Sequence, residues 1–144
     1  MGFEGFSREE LLQAREPRFA RRRVVRFQDV DAAGVVFFPR YLEYFHDAFI
    51  EILAEHGHDW ARELSSGIVA PIKHAEADYL APLRFGERIR VELVRARLEP
   101  TQVTVGHRIV REEDGRPAAV GQTLHVAVDA ETFQRSSWPA PLRG

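Results

Sequence analysis

Apolar and polar positions alternate with two different periods along the chain, and each period predicts its own kind of element. Between Pro39 and Gly57, the residues Tyr41, Leu42, Phe45, Ala48, Phe49, Ile52 and Leu53 recur at spacings of three and four, the signature of one helix face. Pro39 suits the first helical turn and Gly57 the position just past the end. Ser7 followed by REELLQA, with Glu10 at the capping-box position, predicts a short helix over about 8–15 that Pro17 stops. It reads as an appendage.

A period of two dominates elsewhere. The stretches 22–28, 67–80, 87–98, 101–112 and 118–129 read as strands, rich in β-branched and aromatic residues or alternating in polarity. Pro71 implies an edge position or an irregularity in the second of them. Leu93 and Val94 fall side by side where alternation demands one of each kind, which predicts a bulge. Asp114-Gly115 between two strand patterns is a hairpin signal. One strand, a long helix and four strands joined by short connections give an α+β fold with a mainly antiparallel sheet. One helix covers one sheet face, so self-association is the expected cover for the rest.

The chain has 144 residues, 44% hydrophobic and 29% charged, which fits one soluble globular domain. Its parts are an extension over 1–20, a domain over 21–130 and a Pro-rich tail over 131–144, whose order depends on whether its Trp docks. A net charge of −2 argues against a nucleic-acid module. The five arginines of RFARRRVVR (18–26) read as a solvated strand start. The absence of cysteine removes disulfides and thiolate nucleophiles. The N-terminus lacks the apolar core of a signal peptide or a membrane span, and Phe6 stands where myristoylation wants Ser or Thr. The expected location is cytoplasmic.

Several chemistries lack their sequence marks. Neither a Gly-x-Ser-x-Gly elbow nor a phosphate-cradling glycine pattern occurs. His46, His56 and His58 lie near Asp47 and Asp59, but their spacing straddles the helix end and does not form a metal set. His56 and His58 read better as partners of the helix C-terminal dipole. His107 and His125 fall within strands and read as structural. Glu43, Asp47, Glu51 and Glu55 form a like-charged stripe spaced by four, which costs helix stability unless the face is solvated, meets arginines of this or another subunit, or lines a site.

Asp29 and Asp31 remain. A carboxylate just ahead of a helix start lies near backbone N–H groups that have no partner in the helix. Such N–H groups can polarise a carbonyl while the carboxylate attacks it or deprotonates a water. Thioesters, with a good leaving group, suit so spare an apparatus. Both aspartates equally suit a plain turn, and an Asp-x-Asp phosphotransferase would need a parallel sheet that this strand order does not offer.

The stretch VRFQDVDAAGVVFFPRYLEYFHDA (25–48) closely resembles the entry motif of hotdog-fold acyl-CoA thioesterases of the 4-hydroxybenzoyl-CoA thioesterase type. EADYLAPLRFGERIRVEL (76–93) resembles that family's second segment, a Tyr-x-x-Pro strand end followed by a Gly-Glu turn and a strand. The resemblance implies a long helix wrapped by a curved five-stranded antiparallel sheet, and dimers that pair into tetramers. It implies an acyl-CoA substrate, with coenzyme A as part of the substrate and no metal or organic cofactor. By the same resemblance Asp31 is the nucleophile or general base, and the Phe38 backbone N–H polarises the carbonyl. Gly34, Val35 and Phe37 are implied to bind substrate, Tyr41, Tyr44 and His46 to line the acyl pocket of a neighbouring subunit from the helix, and Arg84, Arg97 and Arg108 are candidates for holding coenzyme A phosphates. Arg40 stands where the family often has Asn. The Phe-Phe-Pro at 37–39 is nearer the aromatic-acyl branch, although such residues line aliphatic pockets equally well. The rivals are a hotdog dehydratase, which needs a His absent from 27–45, and a non-catalytic acyl-thioester-binding protein.

Overall fold

The computed structural model describes residues 3–55 and 67–138. In chain order the elements are α1 (Arg8–Gln13), β1 (Phe19–Val24), one turn of 3-10 helix (Phe27–Asp29), α2 (Pro39–Glu55), β2 (Ile68–Val69), β3 (Ile72–Tyr79), β4 (Arg88–Glu99), β5 (Gln102–Arg111), β6 (Pro117–Val126) and β7 (Val128–Asp129). Five strands form one antiparallel sheet in the order β1-β4-β5-β6-β3, and the short β2 and β7 pair beside it. This is the α+β architecture that the periodicities predict. Gly57, His56 and His58 lie outside the described residues. Among the described residues no helix is long and apolar enough to cross a membrane.

The local irregularities have local causes. Proline has no N–H to give to a ladder, and Pro71 separates β2 from β3, which runs along one edge of the sheet. The register of β4 against β5 shifts between Leu93 and Arg95, at the apolar doublet. Gly115 takes a left-handed φ of 68° in the β5–β6 hairpin, and Arg111 N–H closes the turn on Arg116 C=O at 3.0 Å. Some boundaries differ from expectation: α1 ends at Gln13, the strand expected over 118–129 is split into β6 and β7, and β1 covers 19–24 rather than 22–28. The backbone N–H of Arg26 donates to the Asp29 carboxylate at 3.1 Å and Asp29 N–H donates to Arg26 C=O at 3.0 Å, which winds 27–29 into a turn and ends the strand. The boundary expected at residue 21 therefore falls inside β1.

α2 buries Tyr41, Tyr44, Phe45, Ala48, Phe49 and Ile52 against the sheet. Leu42 and Leu53, expected on that face, sit half-buried at its margin, while Tyr44 is drawn in. The helix meets Ile89 and Val91 of β4, Ile109 of β5 and Ala118 and Ala119 of β6. Burying each large side chain contributes roughly 1.5–3 kcal/mol. Phe45 is wholly buried and stacks on His107 with ring centroids 4.7 Å apart. It can approach β6 this closely because position 121 is glycine: a Cβ there would lie 2.6 Å from both a Phe45 ring carbon and the Glu76 carbonyl oxygen.

The opposite sheet face is covered from within the chain. Leu11 and Ala14 pack on Val94 of β4 and Val120 of β6, with Phe6 and Leu12 beside them. The Gln122 amide accepts from Phe6 N–H at 2.7 Å and donates to Phe6 C=O at 2.8 Å, as a strand partner would. Ser7 caps α1 through Glu10 N–H, as its sequence predicts. The N-terminal segment is thus a second layer of the fold and not an appendage. On this face, cover that self-association was expected to supply comes from residues 3–14.

Among the described residues, three of the four helix-face carboxylates meet arginines, and those of the same chain: Glu51 pairs with Arg23, Glu55 with Arg21 and Glu43 with Arg40. The alternating arginines of β1 are therefore ion-pair partners of α2. Being half-exposed, such pairs contribute little individually. Trp138 docks, buried, with its indole N–H on Glu99 C=O at 3.0 Å.

Gly121→Ala should destabilise the protein by about 1–3 kcal/mol, the usual range for overpacking, measured by urea unfolding. An unchanged midpoint would mean that Phe45 does not need the close approach.

Candidate active site

The loop between β1 and α2 is built on a buried carboxylate. Asp29 is 1% exposed and accepts from Arg26 N–H (3.1 Å), from two nitrogens of the Arg26 guanidinium (3.2 and 3.3 Å) and from the Tyr44 hydroxyl (2.7 Å). Burial pushes the Asp29 carboxyl up, yet these hydrogen bonds outweigh it and hold the group below its ordinary value. Burial first, and the Asp29 charge with it, raises the Tyr44 phenol well above the usual range, so it stays a donor. Asp29 C=O in turn accepts from Phe37 N–H at 2.8 Å. One residue therefore fixes both ends of the 29–37 loop.

Inside that frame Asp31 forms an Asx turn. Its Oδ1 accepts from Ala33 N–H at 2.8 Å and Val35 N–H at 3.4 Å, and Gly34, at φ 82°, supplies the left-handed residue that closes it. Asp31 is exposed, and its Oδ2 has no hydrogen-bond partner among the described residues. The loop returns through a Val30–Val36 bridge, and Val36 N–H is held by Leu83 C=O at 2.8 Å. Phe38 then stands directly before the helix. Among the described residues no group accepts its N–H, whereas its carbonyl accepts from the Tyr79 hydroxyl at 3.1 Å and, at 3.4 Å, from Tyr41 N–H.

Phe38 also lines a cavity of about 290 Å³, walled by Val35, Tyr41, Tyr79, Leu80 and Pro82 among others. Its aromatic rings meet edge to face: Phe38 with Phe37 at 5.2 Å, Tyr79 with Phe38 at 6.5 Å and Tyr79 with Tyr41 at 4.9 Å. Burial raises the Tyr41 phenol to about 12.

Gly34, Val35, Phe37, Phe38 and Tyr41 thus gather around the loop and cavity with Asp31. Arg84 bridges Val35 through its backbone and leaves its side chain exposed. Within the protomer the other expected contributors lie elsewhere. Tyr44 commits its hydroxyl to Asp29 under the loop. His46 lies over His125 with centroids 6.3 Å apart and does not line this cavity. Arg97 donates to Glu4 C=O at 2.9 Å and covers the Phe6 ring, which anchors the N-terminal segment. Arg108 is buried, paired with Glu92 at 2.6 Å, and donates to the carbonyls of Leu12 and Ala14 at 2.9 and 2.7 Å. It caps the end of α1 and has no access to a phosphate. Arg40 reaches Glu43 and the Gln28 carbonyl. Sequence reasoning missed Tyr79 as a wall and Asp29 as the anchor, although the tyrosine stands in the quoted ADYLAP.

Residues 25–144 match the family model described as the thioesterase-like superfamily. The chain belongs to that family. It is a hotdog acyl-CoA thioester hydrolase by fold and relationship. This thioesterase is 36% identical over 126 residues to the 1,4-dihydroxy-2-naphthoyl-CoA hydrolase of a Picosynechococcus, covering 84% of this chain and 86% of that one. It is also 36% identical to the enzyme of that name from Synechococcus elongatus, covering 85% and 90%. Among solved structures, a 1,4-dihydroxy-2-naphthoyl-CoA thioesterase from Synechocystis superposes with a TM-score of 0.81 at 28% identity, covering 85% and 90%. A gentisyl-coenzyme A thioesterase superposes with a TM-score of 0.77 at 26% identity, covering 88% and 100%.

Two of this thioesterase's histidines predict an acid sensitivity. Burial, then the charges of His125 and His46, lowers His107 to about 3; burial, then His46, lowers His125 to about 4. His125 Nε2 meets Thr123 Oγ1 at 2.9 Å, and His107 Nε2 has no hydrogen-bond partner among the described residues. The unfolded chain takes up protons near pH 6.5 that the native state refuses, so stability is full above that value. It falls as the pH drops toward 4, by up to about 1.4 kcal/mol per pH unit for each histidine. His107→Leu should flatten this slope in denaturant unfolding at stepped pH. An unaltered slope would remove His107 as a cause.

Proposed function

We propose that the protein hydrolyses an aromatic acyl-CoA, with Asp31 supplying the attacking carboxylate or general base and the Phe38 N–H polarising the thioester carbonyl. The observation that carries this reading is an unengaged N–H on Phe38, a residue that lines an aromatic-walled cavity and ends the loop that holds Asp31. A lone preorganised donor aimed at a developing oxyanion is worth about 10²–10³ in rate. The Asx turn holds one oxygen of Asp31 and leaves the other for chemistry. Either that oxygen attacks the acyl carbon and water later opens the mixed anhydride, or it takes a proton from the water that attacks. Coenzyme A leaves as the thiol in both cases, and no metal or organic cofactor is required.

The aromatic acyl class is supported by the edge-to-face rings around the cavity and by the names of the relatives, which act on dihydroxynaphthoyl and gentisyl groups. Arg84, exposed and joined to Val35 by a backbone bridge, is the retained candidate for a coenzyme A phosphate. The reading includes self-association as a dimer or a dimer of dimers. β3 is an edge strand with no partner on its outer side among the described residues and leaves Ile72 exposed, the kind of strand that natural proteins cover.

Asp31→Asn keeps an oxygen for the Ala33 and Val35 N–H groups, so the loop should survive. Release of coenzyme A from aroyl-CoA substrates, followed with a thiol reagent, should fall at least about 100-fold while the melting temperature holds. Full turnover in this variant would remove Asp31 from the mechanism. Light scattering should give a mass of at least twice the 16.5 kDa chain; a monomer that turns over substrate would refute the assembly.

A further inference from the structure

Successive strand residues point to opposite faces, and Ala77 of β3 packs against the core beneath α2. Tyr79, two residues on, stands on the same face at the end of the strand, beside Tyr41 and Phe38. It is nearly half exposed, at 47%, so its ring is available to a ligand in the cavity. Its hydroxyl reaches the Phe38 carbonyl from a different element of the fold. That bond completes a pair. On one side of the Phe37–Phe38 peptide, Phe37 N–H is fixed on Asp29 C=O at 2.8 Å; on the other, Phe38 C=O is fixed on Tyr79 at 3.1 Å. The Phe38 N–H between the two anchors is left without an acceptor among the described residues. Pro39 follows and has no N–H to compete for the same oxyanion.

We propose that Tyr79 is both a positioning and a specificity-determining residue of this site: its hydroxyl orients the peptide that polarises the carbonyl, and its ring selects a flat aryl acyl group. This rests on the function proposed above. The rings of Tyr79, Tyr41 and Phe38 are inclined to one another by 63° and 78°. An aryl group packing against this cluster from the cavity gains further edge-to-face contacts, worth about 0.5–1.5 kcal/mol beyond burial, that an alkyl chain cannot make.

The test uses the full chain with Tyr79→Phe and Tyr79→Leu, assayed on benzoyl-CoA and hexanoyl-CoA by thiol release. Calorimetric titration with free coenzyme A counts folded sites in each variant. Tyr79→Phe should lower kcat on both substrates about 5–10-fold, the loss of roughly one hydrogen bond, with KM and the number of sites unchanged. Tyr79→Leu should show the same loss of kcat and should also raise KM for benzoyl-CoA about 3–10-fold while leaving KM for hexanoyl-CoA in place. Wild-type kcat in Tyr79→Phe, or an unaltered benzoyl-to-hexanoyl ratio in Tyr79→Leu, overturns the proposal. A drop in titratable sites that accounts for the lost turnover also overturns it, because the role is then structural. Wild-type protein that releases no coenzyme A from any substrate overturns the function on which the proposal rests, an outcome separate from the others.

Discussion

The Asp29 carboxylate, sunk beneath the loop that leads into α2, is the constraint on which the site depends. A lone buried carboxylate is costly, and this one is tolerated because Arg26 and Tyr44 supply donors from the strand end and from the helix. The same residue halts β1 through Arg26 N–H and receives Phe37 N–H on its carbonyl. The intervening segment has little freedom left, so the Asp31 turn and the Phe38 peptide are held in fixed relation to each other. Removing one partner would strand a buried charge, which costs far more than the hydrogen bond itself.

The sheet makes that constraint useful. Small residues on β6 let Phe45 descend onto the sheet, which draws the start of α2 close enough for Tyr44 to reach Asp29. The far face of the same sheet is closed by residues 3–14, held by Gln122 and by the buried Arg108–Glu92 pair. Arg108 contributes through α1, whose last carbonyls it satisfies. An arginine that looks from the sequence like a phosphate ligand is instead part of the seal that keeps water from the outer face of the sheet.

Fold class was legible because it rests on period, and period survives the loss of all other information. The α2 stripe, the Leu93-Val94 bulge, the Asp114-Gly115 hairpin and the edge position signalled by Pro71 are each a local consequence of local chemistry. The missed features depend on partners distant in sequence. The sequence around Leu11 resembles that of any short amphipathic helix, and only the apolar outer face formed by Val94 and Val120 makes it a layer. Tyr44 and Arg108 carry polar tips that suit a site equally well, and both are spent on buried carboxylates which local patterning cannot reveal. Asp29 and Asp31 differ by two positions and share a motif, yet one is buried and one exposed, a distinction set by the direction each faces in the loop. Tyr79 was part of a recognised segment, but its bond to Phe38 spans 41 residues.

The most direct measurement is a crystal structure with an aryl ketone analogue of the substrate, in which a methylene separates the carbonyl from the coenzyme A sulfur so that hydrolysis is impossible. The account requires the carbonyl oxygen within about 2.7–3.1 Å of Phe38 N, the aryl ring packed against Tyr79 in the cavity, and Asp31 Oδ2 facing the carbonyl carbon directly or through one water. A carbonyl bound away from Phe38 N, with Asp31 turned to bulk solvent, would contradict it.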